Sequence, residues 1–143
     1  MTFKRVLIAL LFTSGGLAGE CFPVRLEAPV YPPLANQARI EGVVKLKVTL
    51  ARDGEVLNAQ SLSGNSILAR AAEANLLTWR FSRSCSSHSS SASIEFTYQF
   101  KLEGETLNRP TTGFRYDHPY IATVTSQAHH WQPERESKDE PQQ

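Results

Sequence analysis

The sequence predicts a two-layer α+β domain in which two helices cover one face of a small, three- to four-stranded antiparallel sheet. Three observations support this class. Two stretches alternate apolar and polar residues with the period of a strand, and an amphipathic stretch with helical period lies between them. Asp53-Gly54 separates the first alternating stretch from a return strand, which is the pattern of a β-hairpin.

The first part of the domain is expected to be an extended lead-in followed by a short helix. Residues 20–30 are rich in proline, and the run from Val24 to Leu26 is compatible with a short edge strand. Pro32 and Pro33 suit the first positions of a helix, where a missing N–H is not needed. The helix continues over Leu34–Ile40, and Gly42 is expected to end it.

The central elements follow from their periods. Val43–Leu50 alternates with period two and predicts a strand with one buried face, and Val56–Ser63 is the return strand. Asn65 or Ser66 is the expected N-cap of the second helix. Its apolar face comprises Leu68, Ala71, Ala72, Leu76 and Trp79.

The C-terminal part contains a third clear strand and then a polar extension. Ile94–Leu102 alternates and follows a serine-rich loop. Residues 104–126 are turn-rich but end in a run of high strand propensity, Tyr120–Ser126, and residues 127–143 are expected to be a disordered polar tail.

The N-terminus has the features of an export signal. Residues 1–19 combine basic Lys4 and Arg5, the apolar run Val6–Phe12 and a series of small residues. The apolar run is far shorter than the ~20 residues of a spanning helix. We therefore predict export followed by cleavage near Ala18 or Gly19, and an uncleaved membrane anchor is the alternative.

Composition and motifs argue against several functions. The 143 residues suit one domain. Without Lys4 and Arg5 the formal net charge changes from +1 to −1, so the chain lacks the excess of positive charge that is typical of a nucleic-acid-binding domain. The serine-rich loop has no nucleophile motif around its single His88, and a glycine-rich phosphate loop is absent from the sequence. We predict no catalytic residues, no cofactor and no small-molecule substrate.

The chain has two cysteines, Cys21 and Cys85. In an oxidising compartment such a pair usually forms a disulfide, which here would stabilise the fold by about 4 kcal/mol through loop closure. The alternative is a metal site, since Cys85 and His88 are spaced C-x-x-H. With Cys21 this provides three ligands and no second paired motif, so we predict a disulfide and no metal.

The segment from Tyr31 to Phe81 contains a series of ordered landmarks. They are YP-x-x-A at Tyr31, R-I-E-G at Arg39–Gly42, the Asp53-Gly54 hairpin, Ser63-Gly64 before the second helix, and Trp79-Arg80-Phe81 at its end. In this order and spacing the segment resembles the C-terminal domain of the TonB energy-transducer family. The resemblance extends over roughly residues 28–103, and we therefore place the domain at 31–103.

The resemblance implies a periplasmic protein-binding domain with a role in transport or energy coupling. In that family the domain adds an extended segment of an outer-membrane transporter to its sheet edge. The expected partner is a TonB-dependent transporter or another envelope protein, and a homodimer remains open. The chain departs from the family plan in having a short signal, no spacer and no spanning helix. A disulfide-stabilised secreted interaction domain without transport coupling is therefore the alternative.

By the same resemblance the gripping edge is the last strand of the domain, Ile94–Leu102. Tyr120–Ser126 could occupy that edge itself, either protecting it from aggregation or competing with a partner. The outward residues expected to flank a bound partner are Glu95, Thr97, Gln99 and Lys101.

Overall fold

The computed structural model describes residues 20–86, 90–117 and 119–130. The expected signal peptide and the tail from residue 131 lie outside the described residues. The helices are α1 (Pro33–Gln37) and α2 (Ser66–Leu76), with a short 3-10 helix at Arg83–Ser86. The strands are β1 (Pro23–Arg25), β2 (Gly42–Ala51), β3 (Val56–Ser63), β4 (Arg80–Phe81), β5 (Ser91–Thr106), β6 (Thr112–Asp117) and β7 (Ile121–His129).

The main sheet has five strands in the order β3-β2-β5-β7-β6, and β1 pairs with β4 in a separate two-stranded sheet. Neighbouring strands are antiparallel except β5 and β7, which are parallel. The α+β class is confirmed. The expected sheet of three to four antiparallel strands is wrong, because the segment after Glu103 adds two strands and a parallel pairing.

The buried core lies between this sheet and the helices. The inward residues of β2 pair in register with those of β5, for example Val44 with Tyr98 and Leu46 with Phe96. All four of these side chains are fully buried. Burial of such side chains is the main stabilising contribution to a small domain, at about 1.5–3 kcal/mol each.

The first helix is shorter than the expected Leu34–Ile40. It begins at the two prolines, as predicted, but ends at Gln37. Arg39 has a positive φ of 54°, and the N–H of Ile40 donates to the carbonyl of Ala35 at 2.8 Å. A left-handed residue with this bond closes a helix, so Arg39 and not Gly42 ends it.

The second helix agrees closely with its prediction. The side chain of Asn65 accepts a hydrogen bond from the Ile67 N–H at 2.9 Å and so caps the helix. Trp79, just beyond the helix, is 2 % exposed. Its ring lies within about 6 Å of five other rings, those of Phe81, Phe96, Tyr98, Phe114 and Tyr116.

The β2–β3 hairpin turns at Asp53-Gly54, as predicted. Gly54 has a φ of 90°, and a Cβ on it would lie 1.8 Å from the carbonyl oxygen of Phe81. The Phe81 N–H donates to the Gly54 carbonyl at 2.8 Å. Glycine is required here because β4 crosses directly over the turn.

The strand expected over Tyr120–Ser126 is present but longer. It runs from Ile121 to His129, so residues 127–129 are paired strand residues and not the start of a disordered tail. Its partner β6 was not predicted from the sequence. The strand has six residues, none of them fully buried, and its alternation is confined to Phe114, Arg115 and Tyr116, which is too short a pattern to predict a strand.

Candidate partner-binding edge

The strand expected to form the free edge, β5, lies in the centre of the sheet. On one side it pairs with β2 from Ser91 to Phe100. On the other side β7 runs parallel to it, in register from Thr97 opposite Ile121 to Thr106 opposite His129. The edge is therefore not open over Thr97–Thr106, because the chain places its own C-terminal strand there. The hypothesis that the segment Tyr120–Ser126 occupies this edge is confirmed from Ile121 onward.

The four predicted partner-binding residues lie on the open, solvent-facing side of the sheet. Glu95 and Lys101 are exposed, and Thr97 and Gln99 are half-buried. Of these four, Glu95 alone precedes the stretch that β7 covers. The other three stand beside residues of β7 on the same face, in the register pairs Thr97–Ile121, Gln99–Thr123 and Lys101–Thr125.

The side chain of Asn36 in α1 forms hydrogen bonds to the main chain of β7. The Asn36 side chain is 4 % exposed, and its Nδ2 donates to the carbonyl of Gln127 at 2.8 Å and to the Ser126 hydroxyl at 3.1 Å. Its Oδ1 accepts from the N–H of His129 at 2.8 Å. One buried amide thus binds two main-chain groups of an extended strand, which is recognition largely independent of side chains.

A cluster of charges closes the end of this edge. Glu105 forms an ion pair with Arg39 at 2.6 Å, and the Nδ1 of His130 lies 3.3 Å from the other oxygen of its carboxylate. The hydrogen bond and the charge of Arg39, with a smaller contribution from His130, hold the pKa of the Glu105 carboxyl below its ordinary value. The cluster connects the end of α1 to the last described residues of the chain.

The disulfide predicted between Cys21 and Cys85 is present, with Cα atoms 4.5 Å apart. It joins the lead-in to the 3-10 helix after β4. Because Cys85 is used in this bond, it is not a metal ligand, and His88, the other residue of the proposed metal site, lies outside the described residues.

The two outer strands of the main sheet differ in how they are protected. At β3 the N–H of Ser61 donates to the Glu73 carboxylate of α2 at 2.7 Å, so part of that edge is already used. At β6 the Thr112 hydroxyl accepts from the N–H of Tyr31 at 3.4 Å. On this side of the sheet the outermost strand is β6, and not β5 as the sequence predicted.

Sequence reasoning missed Asn36 and β6. Asn36 sits within the short helix among apolar positions, and a polar residue on the buried side of a helix is the signal that could have identified it. Its partners lie about ninety residues further along the chain, which no local pattern reveals.

The fold and this occupied edge define a small α+β domain whose central strand β5 pairs with the chain's own C-terminal strand. No helix within residues 20–86, 90–117 and 119–130 is long and apolar enough to cross a membrane.

Residues 27–102 match the family described as the Gram-negative bacterial TonB protein C-terminal domain. The chain therefore belongs to the TonB C-terminal family, whose members are periplasmic domains of envelope transport coupling. Among solved structures it is similar to the solution NMR structure of the Pseudomonas aeruginosa TonB CTD. The identity is 31%, with 54% of this chain and 83% of that chain covered and a TM-score of 0.40. The comparison with curated proteins found no match.

Proposed function

We propose that this chain is an exported periplasmic domain that binds an extended segment of an outer-membrane TonB-dependent transporter, or of another envelope protein, by β-strand addition. The observation that carries the proposal is the parallel pairing of an extended strand along Thr97–Thr106 of β5. This edge pairs with the chain's own strand through main-chain hydrogen bonds, and strand addition at a sheet edge is the mode of recognition that the resemblance to the TonB family implies.

The partner strand would lie where β7 lies now. Its outward side chains would then stand beside Thr97, Gln99 and Lys101, and the exposed carboxylate of Glu95 would be at its N-terminal end. The buried amide of Asn36 would bind its main chain, as it binds that of β7. Affinity would come mainly from main-chain bonds, and specificity from alternate side chains.

Export to an oxidising compartment is supported by the Cys21–Cys85 disulfide, since such bonds persist outside the cytosol. The intact mass of the exported protein under non-reducing conditions tests this part. We expect the mass of a chain that begins near Glu20, with cysteines that are alkylated only after the disulfide has been reduced. A full-length mass in the membrane fraction would favour the anchored form instead.

Binding is tested by titrating the isotope-labelled mature chain with synthetic peptides from the periplasmic N-terminal segments of outer-membrane transporters. We expect amide shifts along Thr97–Thr106 and at the Asn36 side chain. The matched control is the same peptide with a central proline, which lacks the N–H that strand addition requires. Undiminished binding of the proline peptide, or no binding by any transporter segment, would contradict the proposal.

A second candidate, a disulfide-stabilised interaction domain without transport coupling, is favoured by the occupied β5 edge. It predicts binding of envelope proteins other than transporters. Crosslinking in the periplasm, followed by mass spectrometry of the captured partner, separates the two candidates.

A further inference from the structure

The two C-terminal strands form a hairpin that reaches the sheet by an unusual route. The chain leaves β5 at Thr106, forms β6 as the outermost strand, and returns as β7 directly beside β5. Parallel pairs are slightly less stable per residue than antiparallel pairs. The hairpin therefore occupies the Thr97–Thr106 edge of β5 through parallel pairing, the weaker of the two kinds of strand pairing.

The side chains of β7 contribute little bulk to the core. Its inward residues include Ala122, Val124 and Ala128, each at most 2 % exposed. The corresponding inward residues of β5 are much larger, as Tyr98 and Phe100 show. Because hydrophobic stabilisation grows with the apolar area buried, β7 is held more by its main-chain bonds and Asn36 than by its own side chains.

The outer strand β6 provides the larger side chains of the hairpin. The rings of Phe114 and Tyr116 are half-buried, and each has its centroid 6.0 Å from that of Trp79. Arg115 lies between them on the opposite face, with its side chain 74% exposed and paired to Asp117. The side chains of the hairpin thus pack on the domain mainly through these two rings, which cover one side of Trp79.

From these contacts we propose that the β6–β7 hairpin is a built-in occupant of the partner edge, and that a partner strand binds by displacing β7. The pattern of β7 specifies the partner. It is an extended segment parallel to β5, with small residues at the alternate positions held by Ala122, Val124, Ser126 and Ala128. It also has a free carbonyl and N–H where Asn36 binds Gln127 and His129. This inference rests on the proposed function. It adds that the hairpin competes with the partner strand, and it states which residues the partner strand should have at its inward positions.

The first test weakens the hairpin without substituting any residue of β5 or β7, or Asn36. The double variant Phe114→Ala/Tyr116→Ala removes the two rings, and Arg115→Ala is the matched control on the same strand. The probe is a fluorescently labelled synthetic peptide with the sequence of residues 120–129. Apparent affinity scales with the fraction of protein whose edge is open, so the double variant should bind at least about tenfold more tightly than wild type. The control should match wild type. Equal affinity in all three proteins would overturn the proposal.

Loss of two half-buried rings can unfold a small domain, so a second measurement leaves β6 intact. The chain has two tryptophans, and Trp131→Phe makes Trp79 the single emitter. Saturating this protein with the 120–129 peptide should shift Trp79 emission to longer wavelength, because the displaced rings no longer cover it. Binding without any shift would place the peptide elsewhere, such as on the outer edge of β6, and would overturn the displacement.

Transporter peptides distinguish a failure of the proposed function from a failure of the displacement of β7. If the 120–129 peptide behaves as expected but no transporter segment binds even the double variant, the proposed function fails and the displacement stands. If a transporter segment binds wild type and the double variant equally, with no change at Trp79, the displacement of β7 and the placement of the partner beside β5 both fail. Binding of a transporter segment by strand addition then stands, but at another edge such as that of β6.

Discussion

The side-chain amide of Asn36 and the backbone carbonyl of Gln127 are joined by a 2.8 Å hydrogen bond that connects the first helix to the last strand. The same side chain accepts the N–H of His129. Because the Asn36 side chain is buried, its pairing with these main-chain groups ties the C-terminal extension to the family fold and makes the two parts one structure.

Replacement of Asn36 by alanine should destabilise the protein measurably. The change leaves main-chain groups of β7 without partners, at a cost of about 1–3 kcal/mol. Urea unfolding of Asn36→Ala measures it, with Gln37→Ala as the control because Gln37 is the exposed neighbour on the same helix. A stability loss equal in both variants would mean that the amide contributes nothing specific.

Two glycines with positive φ should respond differently to alanine. Gly104→Ala has open space around its Cβ and should lose only the about 1–2 kcal/mol of left-handed strain. Gly54→Ala should lose clearly more, since its Cβ would overlap the carbonyl oxygen of Phe81. Thermal unfolding of both variants makes the comparison, and similar midpoints would argue against the close crossing of β4 over the turn.

Removal of the disulfide should be costly. The bond spans a sequence separation of 64 residues. Loop entropy for a closure of this size is about 4 kcal/mol. Cys21→Ser/Cys85→Ser is therefore expected to lower the free energy of unfolding by a comparable amount. Reducing agent should destabilise the wild type and leave the double variant unchanged; a wild type insensitive to reduction would contradict the role of the bond.

The protein should lose stability in alkali above pH 10. Burial, with a smaller effect of the Glu41 carboxylate, raises the pKa of Tyr31 from 10.0 to about 12. Burial also raises the pKa of Tyr98 above its ordinary value. The unfolded chain then ionises first, so the contribution of neutral Tyr31 is complete below pH 10 and is lost as pH rises to about 12.

Urea unfolding across this pH range measures the effect. Tyr31→Phe should make the decline shallower, because one of the tyrosines that resist ionisation is absent. The same variant also removes the 2.7 Å bond from the Tyr31 hydroxyl to the Ile40 carbonyl, so its stability at neutral pH should be lower than that of wild type. An identical alkaline slope in the two proteins would show that Tyr31 is not responsible.

Local sequence patterns determined much of the fold. The alternation of β2 and β5, the Asp53-Gly54 turn and the Asn65 cap are set by interactions within a few residues, and all were predicted correctly. The disulfide also followed from the sequence, since two cysteines in a chain expected to be exported leave one pairing. The order of landmarks around Tyr31 further indicated the family, which the match over residues 27–102 confirmed.

Only the tertiary structure decided where the C-terminal strands go. The propensity of Tyr120–Ser126 for a strand does not say which edge it joins, because strand pairing depends on main-chain groups that every residue carries. The position of β7 beside β5 results from contacts across the whole chain, such as those of Asn36 with Gln127 and of Phe114 with Trp79. Sequence therefore determined most of the elements and the family, while long-range packing decided the place of β6 and that the expected partner edge is filled by the chain itself.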